Sequence, residues 1–244
     1  MASNLINHLE KIHEAGKTDF RWNNLRKLVK KSIVGDYVLD AGCGTGHMTL
    51  DLLNEGYKVT SIDYSSELTN FTQNILENKN IKTDVHTLDL LDVKVLGENK
   101  FSTAICLDVL EHIDDDLQAL KNLAYTVEKE GTIIISVPAL SYLYGLRDKE
   151  IGHYRRYNKN DLANLVDNSE LNLIDIRYWN FLGLLPVIVF EKILKKRINE
   201  NIRYSSKSHF SAAANKLLQK WFAIVENNIR FPIGLSLIAI CKKK

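Results

Sequence analysis

The sequence predicts an α/β fold with a doubly wound, Rossmann-like parallel sheet covered by helices on both faces. Two observations carry this prediction. Apolar strands alternate with amphipathic helices from residue 37 to residue 137, which is the pattern of a parallel sheet. The first strand also runs into glycines at positions 42, 44 and 46, where the chain turns sharply. With 244 residues, 45% of them hydrophobic and 25% charged, the chain can bury a core without disulfides or metal.

The individual elements follow from the spacing of apolar residues. Leu25, Val29 and Ile33 recur at helical spacing and predict a helix before the first strand. Ser65 and Ser66 suit the N-terminus of the helix after the second strand. Apolar runs between turn residues predict strands at 37–40, 58–63, 83–88, 101–107, 132–137, 171–179 and 235–241. Helical spacing at 184–198 and 212–229 predicts a helical insertion between the last two strands.

We therefore expect a single domain over residues 1–244. Its parts are a helical cap at 1–35, a cofactor-binding core at 36–180, the insertion at 181–232 and the last strand at 233–244. No repeat, low-complexity block or flexible linker divides the chain.

Composition excludes several classes of function. The net charge of +2 argues against binding to duplex nucleic acid, which needs a concentrated basic surface. Cys43, Cys106 and Cys241 are far apart in sequence, so neither a disulfide framework nor a metal site is expected. The N-terminus lacks an apolar signal core, and no apolar run is long enough to cross a bilayer, so we expect a cytoplasmic protein.

The glycine-rich turn predicts a cofactor site. Asp40 ends the first strand, and Gly42, Gly44 and Gly46 follow at alternate positions. A dinucleotide-binding turn has the pattern G-x-G-x-x-G, which places its third glycine where this chain has His47. The spacing thus departs from the dinucleotide pattern by one residue.

The charge around this turn distinguishes the cofactor classes more strongly. Acidic residues follow each of the first four strands and should meet at one edge of the sheet: Asp40, Asp63, Asp89, Asp108 and Glu111. Each would repel a pyrophosphate a few ångströms away by about 1 to 4 kcal/mol, depending on the local dielectric. A cationic nucleoside, S-adenosylmethionine, suits the site, with its ribose on Asp63 and its adenine amino group on Asp89.

On these residues the sequence resembles the class I S-adenosylmethionine-dependent methyltransferases. The matching motifs are D-x-G-x-G-x-G from Asp40, the acid at Asp63, the pair Asp89-Leu90, and the run Asp108-Val109-Leu110-Glu111-His112. The resemblance implies a seven-stranded sheet with the last strand antiparallel. It also implies a methionine part near residues 40–46 and an adenine packed by Tyr64 and Leu90, with Asp108 at the cofactor site. The loop after the fourth strand lacks the Pro-Pro pair typical of enzymes that methylate bases, so that activity is disfavoured.

Methyl transfer from a sulfonium needs a base only when the acceptor carries a proton, so few catalytic residues are expected. The candidates are His112, His153 and Tyr154. Arg155, Arg156 and Tyr157 follow directly and suit binding of an anionic acceptor. The alternative is structural, with the arginines neutralising nearby acids while the tyrosines pack on the sheet.

The sequence of the insertion is compatible with several acceptors and several partners. Its first predicted helix has an apolar half followed by Lys192, Lys195, Lys196 and Arg197. This pattern suits a lid, a homodimer surface or peripheral contact with a membrane. We expect a small acceptor, anionic, glycan or lipid-linked. The alternatives are an NAD(P)-dependent oxidoreductase and a non-catalytic scaffold that keeps the cofactor.

Overall fold

The computed structural model describes residues 2–189 and 209–244, without the side chains of residues 2–7 and 209–214. The strands are β1 (Tyr37–Ala41), β2 (Lys58–Asp63), β3 (Asp84–Thr87), β4 (Phe101–Leu107), β5 (Val127–Pro138), β6 (Leu171–Trp179) and β7 (Ser236–Lys243). The helices are α1 (Ala2–Thr18), α2 (Phe20–Lys30), α3 (His47–Asn54), α4 (Ser66–Asn78), α5 (Asp116–Thr126), α6 (Leu146–Glu150), α7 (Lys159–Asp167), α8 (Leu184–Val187) and α9 (His209–Trp221). A π-helical turn, Phe222–Glu226, continues α9.

The strands form one seven-stranded sheet in the order β3-β2-β1-β4-β5-β7-β6. Neighbouring strands from β3 to β5 run parallel, and β7 runs antiparallel to both β5 and β6. The predicted fold class is therefore confirmed, including the antiparallel last strand. Strand β5 begins five residues before the predicted start at 132, because Val127 pairs with Phe101 across a register shift.

The core has two layers because side chains alternate along the central strands. In β4, Ala104 and Cys106 join the cluster that includes Leu120 and Leu123 of α5. Ile105 belongs to the other cluster, with residues of α2 and α3. The two clusters hold helices against opposite faces of the sheet, and the strand ends between them remain available for a site.

Polar residues cap two of the helix N-termini, and Ser65 is a predicted one. Ser65 precedes α4 and accepts a hydrogen bond from the backbone N–H of Leu68. Asn158 precedes α7, and its backbone N–H donates to the carboxylate of Asp161 at 3.1 Å. Both hydrogen bonds satisfy a backbone N–H group at the start of a helix, which has no partner within the helix.

A buried carboxylate joins the two ends of the insertion. Glu226 is fully buried and accepts hydrogen bonds from the backbone N–H groups of Phe181 and Leu182 and from the indole of Trp221. It therefore joins the start of the insertion to its end. Of the first predicted insertion helix, only the part up to residue 189 is described, and the basic run lies outside the described residues. Among the described helices, none combines the length and the apolar character needed to traverse a bilayer.

Candidate active site

A cleft of about 760 Å³ opens where β1, β2 and β4 end. Helices α1 and α2 contribute Ile12, Gly16, Arg21 and Trp22 to its wall. The sequence-predicted residues that line it are Gly42, Gly44, Asp63, Tyr64, Asp89, Leu90, Asp108, His112 and Tyr154. The sheet edge thus brings most of the predicted site into one cavity.

The loop after β1 forms part of the cleft through two glycines, Gly42 and Gly44, that both have positive φ. Gly42 has a φ of +89°, and a Cβ there would lie 2.2 Å from a methyl group of Val109. Gly44 has a φ of +54°, and no atom lies within 4 Å of the place of its missing Cβ. The bare backbone of Gly44 therefore faces open space, where a ligand can approach closely. Gly46 is outside the lining and packs against Thr72.

Asp63 ties the end of β2 to this loop. Its Oδ2 accepts a hydrogen bond from the Gly44 N–H at 2.9 Å, and its Oδ1 accepts one from the Ser65 N–H at 3.0 Å. Burial raises the pKa of Asp63 above its usual value, although these hydrogen bonds oppose the rise. The carboxylate is thus held in one orientation while it lines the cleft.

Asp40 lies beneath the cleft and is not part of its lining. Its carboxylate accepts a 2.6 Å hydrogen bond from the Thr49 hydroxyl, which is itself 2.8 Å from the Ser61 hydroxyl. Burial raises the pKa of Asp40 to about 6. Through Thr49, Asp40 is therefore tied to α3 and, by way of Ser61, to β2, and it has no direct face on the cavity.

The residues after β2 and β3 form the surface expected to bind the adenine ring of the cofactor. Tyr64 is 77% exposed and Leu90 is buried, and both line the cleft. Asp89 caps the 3₁₀ turn Leu90–Leu96 by accepting a hydrogen bond from the Leu91 N–H at 2.8 Å. The capping role of Asp89 occupies one oxygen and leaves its side chain at the cavity.

Asp108 follows β4 in a left-handed conformation with a φ of +54°. Its Oδ1 accepts a hydrogen bond from the Ser136 hydroxyl at 2.9 Å, and its Oδ2 lies 3.6 Å from a guanidinium nitrogen of Arg21. The Nε of Arg21 is buried and has no hydrogen-bond partner within the described part of the chain. Arg21 thus brings a cation with an unused donor into the cleft wall.

Next to Asp108, two imidazoles surround a buried carboxylate. Glu111 is 1% exposed; its Oε1 lies 3.8 Å from Nε2 of His153, and its Oε2 has no described partner. The ring of His112 meets the His153 ring edge-on at 4.6 Å. Burial raises the pKa of Glu111, while partial burial and the neighbouring His153 lower the pKa of His112. These three side chains place ligand atoms within 4.8 Å of one another, close enough to hold a metal ion.

His153 is oriented by Asp148, one of the acids that the structural alternative places next to the arginines. Oδ1 of Asp148 lies 3.0 Å from Nδ1 of His153 and 2.7 Å from Nε of Arg156. Burial alone would raise the pKa of Asp148, but the hydrogen bonds from His153 and Arg156 bring it to about 2. The ionised carboxylate turns Nε2 of His153 toward Glu111.

The predicted substrate-binding run lies on another surface. Arg155 pairs with Asp116 at 2.9 Å, and the Tyr157 hydroxyl donates to the same carboxylate at 2.7 Å. Together with Arg156 they line a separate pocket of about 360 Å³. These contacts correspond to the structural alternative, in which the arginines neutralise nearby acids.

Comparison with known families agrees with this geometry. A family described as a methyltransferase domain matches residues 14–176, which includes the glycine loop, the acidic strand ends, His112 and His153. The chain belongs to this methyltransferase family. It is accordingly an S-adenosylmethionine-dependent methyltransferase, as its motifs predict.

Relatives and solved structures show the same likeness. Ubiquinone biosynthesis O-methyltransferase of Coxiella burnetii is 24% identical over 158 residues, or 59% of this chain and 67% of the relative. The protein of the same name from Xanthomonas campestris is 26% identical over 59% of this chain and 66% of its own length. A methyltransferase structure from Archaeoglobus fulgidus, 20% identical, covers 90% of this chain and 91% of its own with a TM-score of 0.58, a likeness of fold.

The cleft of this methyltransferase fits the cofactor of its family, S-adenosyl-L-methionine. Carboxylates of Asp63, Asp89 and Asp108 line one cavity, and a cationic ligand is favoured there over a pyrophosphate. Gly44 leaves backbone exposed beside them. The residues present can thus hold a positively charged nucleoside with two ribose hydroxyls.

Sequence reasoning missed the contribution of α1. Ile12 and Gly16 of this helix line the cleft, and His13 contacts the glycine loop. A signal was available, because Leu5, Leu9 and Ile12 follow one another at helical spacing. The polar residues between them obscured it.

Proposed function

We propose that this methyltransferase transfers the methyl group of S-adenosylmethionine to a hydroxyl oxygen of a small acceptor with an apolar, planar body. The observation that carries the proposal is the position of His112. It follows β4 and lines the same cleft as Asp108, Ile113 and Tyr154. A base beside the acids and next to an apolar wall suits proton removal from a hydroxyl.

The cofactor would be held by residues at the ends of the first four strands. Asp63 is oriented by two backbone N–H groups and would accept hydrogen bonds from the ribose hydroxyls. Asp89 would accept from the adenine amino group, with Tyr64 and Leu90 packing on the ring. The methionine part would lie along Gly42 and Gly44, near Asp108. Asp40 and Gly46 would support this loop from behind.

Bound S-adenosylmethionine supplies an electrophilic methyl group on a positively charged sulfur. His112 would take the proton of the acceptor hydroxyl, since its lowered pKa leaves the imidazole neutral near pH 7. His153 would fix the His112 ring by its edge-on contact. Tyr154 would close the cavity over the acceptor and keep water out.

The acceptor class is inferred from the cleft wall and from the relatives. Trp22, Val109, Ile113 and Ile151 give the wall an apolar surface, which favours an aromatic or lipid-linked acceptor over a glycan. The Nε–H of Arg21, which has no described partner, would donate a hydrogen bond to an anionic group of the cofactor or the acceptor. The name of the relatives, O-methyltransferases of ubiquinone biosynthesis, supports a hydroxyl as the accepting group.

The test measures S-adenosylhomocysteine formed from a catechol with an alkyl tail, from the matching aniline and from a monosaccharide. We expect turnover with the catechol and none with the aniline or the monosaccharide. His112→Gln should lower kcat by roughly 100-fold near pH 7, with recovery at alkaline pH, where the phenol ionises without a base. His86→Asn, an exposed histidine outside the cleft, is the matched control.

Two outcomes would overturn parts of the proposal. Equal kcat for His112→Gln and wild type near pH 7 would remove His112 as the base. Since Glu111, His112 and His153 can also hold a cation, the assay is repeated after treatment with EDTA. Activity lost to EDTA and restored by a divalent cation would assign the cluster to a metal in place of proton transfer.

A further inference from the structure

Helix α1 rests on the glycine loop through two stacked imidazoles. The rings of His13 in α1 and His47, the first residue of α3, lie 4.2 Å apart and within 4° of parallel. Because Ile12 and Gly16 of α1 line the cleft, this stack joins the helical wall of the cofactor site to its loop.

Reciprocal hydrogen bonds fix the tautomer of each ring. Nδ1–H of His13 donates to the Thr45 carbonyl at 3.0 Å, and Nε2–H of His47 donates to the His13 carbonyl at 3.0 Å. Carbonyls only accept, so each ring uses one N–H, and the second nitrogen of each carries no proton in the neutral pair.

Helix α1 leaves space for the His47 ring at Gly16. A Cβ at residue 16 would lie 2.3 Å from Nε2 of His47, so a glycine at that position makes room for the ring. Phe71 of α4 packs edge-on against His13 at 5.8 Å. The stack is therefore enclosed by α1, α3 and α4.

The surroundings disfavour charge on either ring. His13 faces Lys17 and Glu14 of α1 and Lys79 at the end of α4, and His47 faces His13, Lys17 and Arg26 of α2. Burial and these cations lower the pKa of His47 to about 4, and burial lowers the pKa of His13. The positive end of the α3 dipole adds to the cost of an imidazolium at His47.

We infer that His13 and His47 are positioning residues that, while both are neutral, hold α1 over the cofactor cleft, so that protonation of the pair releases the helix and weakens cofactor binding. The inference rests on the cofactor site proposed above and adds its control by pH. His47 itself lines the cleft, whereas His13 lies outside the lining.

The size of the effect follows from linkage. With α1 released, the pKa of His47 returns toward 6.5, and with α1 docked it is about 4. Arg26 and the α3 dipole still lower this pKa after release, so docking weakens as pH falls by at most about tenfold between pH 7.5 and pH 5.5 from His47 alone.

Calorimetric titration with S-adenosylhomocysteine at about pH 7.5 and pH 5.5 tests the inference. The double variant His13→Asn, His47→Gln keeps an N–H donor near each position but cannot titrate. We expect wild-type affinity to fall more than that of the double variant, by a factor of up to about ten. Asp40 is present in both proteins, so its own titration cancels. His8→Gln, an exposed histidine of the same helix, should behave like wild type.

A second measurement does not depend on the cofactor. Hydrogen exchange of the α1 amides in the free protein should speed up at pH 5.5 in wild type but not in the double variant, after correction for intrinsic rates. Gly16→Ala should weaken cofactor binding already at pH 7.5, because its methyl group displaces the His47 ring.

The outcomes are distinguishable. Wild-type affinity that changes as little as that of the double variant overturns the inference, and so does α1 exchange that is independent of pH. Loosening of α1 without any loss of affinity also overturns it. If no cofactor binds at pH 7.5, the proposed site fails, while exchange still reports whether the histidine pair holds α1.

Discussion

The carboxylate of Asp63 accepts a hydrogen bond from the backbone N–H of Gly44 at 2.9 Å. This contact joins the acidic end of β2 to the glycine loop after β1, although the residues are 19 positions apart in sequence. It holds a carboxylate and an exposed stretch of backbone side by side in the cleft. The proposed ribose contact and the proposed methionine contact therefore depend on each other.

Replacing Asp63 should weaken cofactor binding. Asp63→Asn keeps the shape of the side chain but loses charge-assisted hydrogen bonds to the ribose, so we expect a loss of about 1 to 3 kcal/mol in binding free energy. Calorimetry with S-adenosylmethionine measures it. Asp84→Asn, at an exposed acid of β3, is the control. Unchanged affinity of the Asp63 variant would reject the ribose assignment.

Asp40 should make the stability of the protein depend on pH. Its folded pKa of about 6 lies above the ordinary value of 3.8, so the unfolded chain releases this proton first as pH rises. The buried carboxyl thus costs stability from about pH 4, and the full cost of about 3 kcal/mol is reached above pH 6.

Urea unfolding of wild type and Asp40→Asn between pH 4 and pH 7 measures this cost. We expect the variant to gain stability relative to wild type as pH rises, since an amide has no proton to release. A constant difference between the two proteins across this range would contradict the account.

Two glycines allow backbone strain to be separated from steric contact. Gly42 and Gly56 have similar φ values, +89° and +90°, but only at Gly42 would a Cβ meet a neighbour, Val109 at 2.2 Å. Gly56→Ala should cost about 1 kcal/mol of unfolding free energy from strain alone. Gly42→Ala should cost roughly 1 to 3 kcal/mol more. Equal losses in urea unfolding would show that Val109 moves freely.

The two neighbouring arginines should differ in their effect on stability. The side chain of Arg156 is only 9% exposed and its partner Asp148 is buried, so Arg156→Ala removes a charge-assisted hydrogen bond and should cost about 1.5 to 3 kcal/mol, although His153 still contacts Asp148. The side chain of Arg155 is 32% exposed, and its loss should cost less than about 1 kcal/mol. Unfolding measurements compare the two variants. A raised KM for the acceptor with Arg155→Ala at full stability would support its predicted role in substrate binding.

Much of the fold was accessible from the sequence, because it depends on local periodicity. The bounds of β2, β4 and β6 agree with the predicted ones, since apolar runs end at charged or turn residues. Asp63 and Asp108 were expected in one cavity because parallel strands place their carboxyl ends at the same edge.

Side-chain direction in irregular segments was not accessible in this way. Arg155, Arg156 and Tyr157 follow the cleft residue Tyr154 directly, yet they line another pocket. Between α6 and α7 no helical or strand period fixes which face a residue occupies, and Asp148 decides the orientation through contacts that only the folded chain creates.

The central claim is that carboxylates of the cleft select a cationic nucleoside over a diphosphate. Parallel titrations of the wild-type protein with S-adenosylmethionine and with NADH, in low salt near neutral pH, test it most directly. The account predicts saturable binding of S-adenosylmethionine and none of NADH. Binding of NADH that S-adenosylmethionine displaces would contradict it, because both would then occupy the acidic cleft.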